Sequence, residues 1–141
     1  MRTKEETKKR IDIKRDLRHF CGTEHYYRHW QGFNYTDGVK YLAKVADCYW
    51  LLDLIGNHQL NISKEEHFQT WDLLRTETAL KDTYFKKELQ QAKDNDMDAV
   101  VICNDGNNNI LAKQEIPFTD FPLDSIRLFF IDGVLLLTSE Y

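Results

Sequence analysis

Apolar residues at helical spacing predict an N-terminal helix within residues 1–20. Thr3 and Glu6 have the spacing of a capping box, in which a hydroxyl and a carboxylate satisfy the free amide groups at a helix start. Gly22 is suited to end the helix in a left-handed conformation. The narrow apolar stripe of the helix consists of Ile13, Leu17 and Phe20.

A second helical pattern covers residues 37–58. Thr36 is a candidate N-cap, and the apolar residues that follow it recur mostly at helical spacing. The pattern fits one long helix or two consecutive helices broken near Asp47 and Cys48. Residues 80–93 predict a third, more polar helix on the surface.

Two β-hairpins are predicted in the C-terminal part of the chain. Residues 99–103 and 110–116 flank a turn-forming segment, and residues 126–131 and 134–137 flank Asp132-Gly133. The Asp-Gly pair places Ile131 opposite Val134. Because both faces of this last hairpin are apolar, we expect it to be central and covered by the helices of residues 37–58.

Two segments do not show one clear period. Residues 24–35 are aromatic but irregular, and they fit a short strand or a strand followed by a turn or bulge at Gly32. Residues 66–76 fit a helix and a partly buried strand equally well. The elements together predict an α+β fold, with a mainly antiparallel sheet of about four to six strands packed against two or three helices.

Composition and charge limit the class of protein. The 141 residues are 42% hydrophobic and 13% aromatic, which favours one folded domain over residues 1–141. The net charge is −4, although residues 1–20 hold eight Lys or Arg against four Asp or Glu. Because the acidic residues alternate with the basic ones, this pattern is more typical of a solvated helix than of a nucleic-acid contact.

The cysteines and the apolar runs indicate the compartment. Cys21, Cys48 and Cys103 are odd in number and widely spaced, so they predict reduced thiols in a cytoplasmic protein. The N-terminus lacks the apolar stretch of a signal peptide, and no apolar run has the length that a membrane span needs. We therefore expect no membrane partner.

Five segments resemble a family of small uncharacterised bacterial proteins, known only as a domain of unknown function. The resemblance supports a strand at residues 66–76 and the closing hairpins. Relative to the family pattern, the charged helical stretch at 77–97 is longer and is predicted to be an insertion. The matching segments are GTEHYYRHW at 22–30, YTDGVKYLA at 35–43, YWLLDLI at 49–55, TDFPLDSI at 119–126 and GVLLLTSEY at 133–141.

Candidate site residues are concentrated between residues 22 and 55. Asp53 lies among apolar neighbours, so its carboxylate needs a partner, and a His29–Asp53 pair could act as a general base. The alternative interpretation is structural, with Asp53 bridging loops. The candidate binding residues around this pair are Tyr26, Tyr27, Arg28, Trp30, Tyr35 and Asp37.

Four potential zinc ligands lie close together in the sequence. Their spacing matches none of the usual closed zinc patterns, so we expect neither a metal nor another cofactor. These weak metal candidates are His19, Cys21, His25 and His29.

No nucleophile elbow, P-loop or dinucleotide fingerprint accompanies these residues. We therefore favour a non-enzymatic protein-binding or accessory module of a bacterial cytosolic system. One alternative is a small hydrolase-type enzyme that uses His29 and Asp53. A further alternative is nucleic-acid contact through the basic N-terminal helix.

Overall fold

A computed structural model describes residues 3–79 and 83–141, in which four α-helices pack against one mixed sheet of seven strands. The helices are α1 Lys4–Leu17, α2 Asp37–Val45, α3 Tyr49–Gln59 and α4 Lys86–Asp94. The strands are β1 Tyr26–Arg28, β2 Asn34–Thr36, β3 Phe68–Arg75, β4 Ala99–Asn104, β5 Ile110–Ile116, β6 Ser125–Ile131 and β7 Val134–Leu137. A short 3₁₀ turn follows at Thr138–Glu140.

The strand order in the sheet is β1-β2-β7-β6-β3-β4-β5. Neighbouring strands run antiparallel except for β2 and β7, which are parallel. The closing hairpin of β6 and β7 is therefore inside the sheet, with β3 on one side and β2 on the other. Its central position confirms what the two apolar faces of that hairpin predict.

The α+β class is confirmed, but the predicted number of elements is wrong. The described residues form seven strands rather than four to six, and four helices rather than two or three. The difference arises at residues 24–36, where one short strand is predicted and two form, because β1 and β2 have three residues each and are too short to show a period of two. The parallel pairing of β2 with β7 joins segments about a hundred residues apart, and local patterning carries no signal for it.

The N-terminal helix begins as the capping pattern predicts and ends earlier. The Thr3 hydroxyl accepts a hydrogen bond from the Glu6 amide, and α1 starts at the next residue. The helix ends at Leu17 with Arg18 as a right-handed cap. The prediction of a left-handed stop at Gly22 is wrong, because Gly22 lies beyond the helix and does not have a positive φ.

The two-helix alternative for residues 37–58 is confirmed. The break falls at residues 46–48, where Asp47 adopts a positive φ of 50°. The ambiguous segment at 66–76 is the strand β3. The surface helix predicted at residues 80–93 is α4, although residues 80–82 of that prediction lie outside the described residues. The identity of the charged segment as an insertion stays a prediction.

One face of the sheet, called here the first face, carries the main core. The helices α2 and α3 cover it, and α1 packs at its edge through Ile13 and Leu17. The strand residues that point to this face are Trp71, Leu73, Val101, Cys103, Leu128, Phe130, Leu135 and Leu137.

The opposite, second face is covered only in part by the described helices. The buried side chains of Phe85 and Ala92, at the start of α4 and within it, pack on Leu74, Val100 and Ile102 of β3 and β4. The part of this face formed by β6 and β7 keeps partly exposed apolar side chains. None of the four described helices has the length and apolar content required to cross a bilayer.

Candidate functional site

His29 lies in the tight turn between β1 and β2. Its backbone amide donates to the Phe33 carbonyl at 2.8 Å, and its carbonyl accepts from the Gly32 amide at 3.0 Å. Gly32 has a φ of +99°, a conformation that favours glycine. The imidazole stacks on the Phe33 ring at 4.4 Å between centroids, and only 6% of the side chain is exposed. The local fold therefore holds His29 against the core.

The structure brings His29 and Asp53 together. The Nε2 atom of His29 lies 2.7 Å from Oδ1 of Asp53, and the Trp30 indole donates to the same oxygen at 3.1 Å. Asp53 is on the solvent side of α3, with 47% of its side chain exposed. Its carboxylate thus has partners although its sequence neighbours are apolar.

The hydrogen bonds of His29 determine what its imidazole can do. The Gln31 amide donates to Nδ1 at 3.1 Å, so Nδ1 carries the lone pair and Nε2 carries the hydrogen donated to Asp53. A general base needs a ring nitrogen with a free lone pair directed at the substrate. Both nitrogens are occupied here, and the arrangement joins the β1–β2 turn to α3.

The groove next to this turn does not include the pair. It has a volume of about 580 Å³ and is lined by Gln31, by the end of α3 and by the β6–β7 turn, and neither His29 nor Asp53 is part of the lining. Its polar floor is Gln69, whose amide exchanges two hydrogen bonds of 2.8 Å with Gln59. The Trp71 indole donates to the same Gln69 oxygen at 2.9 Å. The two side-chain amides therefore satisfy each other's hydrogen-bonding groups within the protein.

Four of the six candidate binding residues lie on β1 and β2, where they are divided between the two faces of the sheet. Alternation along β1 and β2 puts Tyr27 and Tyr35 on the first face, where their rings are 5.6 Å apart. Tyr26 and Arg28 point to the second face and are exposed, and the Trp30 side chain lies over Asp53. These residues therefore do not form one site.

Asp37, the sixth candidate, holds the segment that precedes β1. Its carboxylate accepts from the amides of Glu24 and His25 at 3.0 and 3.2 Å, and from the Tyr27 hydroxyl at 2.9 Å. These donors, the Glu24 amide first, hold the pKa of Asp37 below its usual value. The bond to Asp37 in turn raises the pKa of the Tyr27 hydroxyl. The two amide contacts join α2 to the loop before β1, and the Tyr27 contact joins α2 to β1 itself.

The four weak metal candidates are not brought together. His29 faces Asp53, whereas His25 lies near Asp37 with Nδ1 3.8 Å from its carboxylate. The exposed thiol of Cys21 is directed at the His19 carbonyl. Within residues 3–79 and 83–141, no group of three or more His, Cys, Asp or Glu side chains is placed to hold a metal ion.

A surface that the site prediction missed lies on the second face, and we call it the open strip. Cross-strand pairing places Phe68, Ile131 and Val134 in one row and Phe129 and Leu136 in the next. The sequence indicated this surface through the closing hairpin, which has two apolar faces. The helices α2 and α3 cover only one of them. The open strip consists of Phe68, Phe129, Ile131, Val134, Leu136 and Tyr141.

The aromatic members of the open strip contact one another. The Phe129 centroid lies 5.2 Å from that of Phe68 and 5.4 Å from that of Tyr141, whose side chain is 77% exposed. The next row holds buried Asp72 and exposed Arg127, which form two hydrogen bonds of 2.8 and 3.1 Å. The bond to Asp72 raises the pKa of Arg127 further. One cation thus borders an apolar surface.

The chain belongs to a family of unknown function (DUF6876), whose model matches residues 11–141. This match confirms the resemblance to an uncharacterised domain. No curated protein and no solved structure matches the chain.

Proposed function

We propose that the protein is a non-enzymatic protein-binding module of a bacterial cytosolic system and that the open strip is its docking surface. The observation that carries the proposal is the incomplete cover of the second face. A sheet with two apolar faces is stable in water when each face packs against another layer. An exposed apolar patch with aromatic members is typical of a protein interface. The three free cysteines support the cytosolic placement.

The helix α4 indicates the kind of partner that the open strip fits. This helix covers the neighbouring part of the same face with a narrow apolar side and turns its charged side to solvent. A second amphipathic helix placed beside it would complete the layer. We therefore propose that the partner is a protein that presents such a helix.

The charges around the open strip favour an acidic residue on that helix. Asp72 accepts from Nε and Nη2 of Arg127, so Nη1 stays directed away from this ion pair. Arg28 is exposed on the same face at the β1 edge. A carboxylate of the partner opposite Arg127 would form a charge-assisted hydrogen bond at the border of the apolar contact.

Site-specific photocrosslinking in the native host tests this proposal. A photoreactive phenylalanine at Ile131 should capture one protein, whereas the same group at Ile11, an exposed apolar residue of α1, should not. A peptide of the captured segment is then titrated against the purified protein. Leu136→Glu should weaken its binding by about 30-fold or more, and Arg127→Glu by about tenfold, whereas Ile11→Glu should have no effect.

Equal capture from both positions would contradict the proposal. It would also fail if the captured peptide binds wild-type protein and the Leu136→Glu variant equally.

The 2.7 Å contact between His29 and Asp53 favours a hydrolase-type enzyme as the second candidate. In that case His29 would have to release the Gln31 amide and turn Nδ1 towards substrate. Hydrolysis of small activated esters tests this candidate directly. Activity that His29→Gln abolishes and that His67→Gln leaves unchanged would support it, because His67 also pairs with an aspartate but is exposed.

A further inference from the structure

The strand β5 is the long free edge of the sheet. It pairs with β4 on one side and is the last strand in the sheet order, whereas the opposite edge strand, β1, has only three residues. Alternate backbone amides and carbonyls of an edge strand face away from the sheet and can pair with another strand. Within the part of the chain that the structure describes, no other strand occupies this side of β5.

Two opposite charges on β5 are held in position by neutral side chains of α4 and its C-cap residue. Lys113 Nζ donates to Gln91 Oε1 at 2.9 Å, and Asn95 Nδ2 lies 3.1 and 3.2 Å from the two carboxylate oxygens of Glu115. Gln91 and Asn95 are four residues apart and therefore on the same side of α4. Among the described residues, neither Lys113 nor Glu115 forms an ion pair within the chain.

These charges are arranged symmetrically about Gln114. Lys113 and Glu115 flank it and point to the same face of the sheet, and Ala112 and Ile116 flank it on the opposite face. The His58 ring holds Gln114 itself, with Nε2 2.7 Å from Oε1. Residues at equal distances before and after Gln114 are therefore of the same type, apolar or charged, and the two charges have opposite sign.

We propose that two copies of this chain associate edge to edge through β5, antiparallel and about a two-fold axis at Gln114. Lys113 then lies opposite the partner's Glu115, and Glu115 lies opposite the partner's Lys113. Opposite charges in directly facing positions stabilise an antiparallel pair, whereas like charges destabilise it. The two sheets become one continuous sheet across the axis. This interface is separate from the open strip.

Charge complementarity selects this register. An axis at Lys113 or at Glu115 places that residue opposite its own copy, which brings like charges together. A shift by one residue puts both charges opposite uncharged side chains. A lysine on an edge strand ordinarily opposes pairing with other strands, but in this register each lysine meets a glutamate.

Exposed apolar side chains at the first residue of β5 and two residues beyond its end support the same axis. Ile110 and Phe118 lie four residues before and after Gln114, and they are 43% and 84% exposed. A two-fold axis at Gln114 brings Ile110 of one copy towards the partner's Phe118 at both ends of the interface. Their association removes apolar surface from water.

A charge exchange tests the proposal by sedimentation equilibrium of the full chain. We expect a dimer for the wild type, a dissociation constant at least about tenfold higher for Lys113→Glu and for Glu115→Lys, and recovery in the double variant that exchanges both charges. Circular dichroism confirms that each variant is folded. Leu136→Glu, a change on the open strip, should leave the dimer unchanged.

A wild type that stays monomeric up to about 1 mM would overturn the proposal. So would a double variant that associates no better than the single ones, or a dimer that Leu136→Glu dissociates. The last result would locate self-association at the open strip instead of β5.

Discussion

The His29 imidazole lies 2.7 Å from the Asp53 carboxylate and joins the β1–β2 turn to α3. We expect His29→Ala to lower the free energy of unfolding by about 2–4 kcal/mol, because it removes a buried ring, its stacking on Phe33 and two hydrogen bonds. Urea unfolding measures the loss. His67→Ala is the matched control, since its pair with Asp132 is exposed and should contribute about 0.5 kcal/mol or less. Equal effects of both changes would contradict the structural role of His29.

The close approach of Gly38 to the C-terminal segment gives a second prediction. A Cβ atom at Gly38 would lie 2.5 Å from Leu137 Cδ1 and 2.6 Å from Glu140 Oε1. The Glu140 carboxylate accepts from the Gly38 amide and the Thr36 hydroxyl, so its displacement leaves the Gly38 amide at the start of α2 without its acceptor. Gly38→Ala should cost about 1–3 kcal/mol in urea unfolding, although alanine favours a helix.

Gly22→Ala is the control for that change. No atom lies within 4 Å of a Cβ at Gly22, so the free energy of unfolding should change by less than about 0.5 kcal/mol. A neutral Gly38→Ala variant would show that the segment after β7 does not pack on α2.

The lowered pKa of Asp37 predicts how the stability of the fold changes with pH in the acid range. Since the folded-state pKa lies below the unfolded value, the contribution of Asp37 is fully present above about pH 4 and is lost as the pH falls through the folded-state pKa. Asp37→Asn should therefore lower the thermal midpoint at pH 7 and make the decline below pH 4 shallower. Thermal unfolding between pH 7 and pH 2 measures both effects.

Asp120→Asn serves as the control for Asp37, because Asp120 is exposed on a loop. Identical acid profiles for wild type and Asp37→Asn would contradict the prediction.

The three thiols should differ in reactivity. Cys21 is exposed, whereas Cys48 and Cys103 are buried. Burial raises the pKa of Cys48 to about 12 and also raises the pKa of Cys103, which keeps both as unreactive thiols at neutral pH. A disulfide reagent should label one thiol in the native protein, three in urea and none in native Cys21→Ser. Fast labelling of a second native thiol would contradict the fold around β4 or α3.

The charges of α1 predict that the chain does not bind generic duplex DNA at physiological salt. Arg10 pairs with Asp124 at 2.6 Å, and Arg15 lies 3.4 Å from Asp12 and 3.2 Å from Asp16. The chain as a whole is acidic. Fluorescence anisotropy of a labelled duplex tests this expectation. Binding that is strong in low salt and falls steeply as salt is added would instead identify a phosphate contact.

Several features could be predicted because their causes lie within a few residues. Thr3 and Thr36 satisfy amide groups three residues ahead, so their hydroxyls indicate where α1 and α2 start. Asp132 and Gly133 both adopt positive φ, as the two-residue turn between β6 and β7 requires, and Ile131 pairs with Val134 as predicted.

The candidate site was predictable only in part. The apolar neighbours of Asp53 suggested a buried carboxylate in need of a partner, but its side chain is 47% exposed, so the contact with His29 was predicted for a reason that the structure does not bear out. The sequence alone does not show that the Gln31 amide occupies the second imidazole nitrogen, because this depends on the conformation of the turn. The sequence therefore favoured a structural role for the pair and left a catalytic role for His29 as the alternative.

The sequence by itself determined where α1 and α2 begin, the approximate bounds of the two C-terminal hairpins and how the closing hairpin is paired, because caps, turns and periodicity act over short distances. Only the tertiary structure decided that β2 runs parallel to β7, that Glu140 caps α2 and that the second face is left partly open. The first two are contacts between segments about a hundred residues apart. They form only when the whole core packs, since no local interaction favours one distant partner over another.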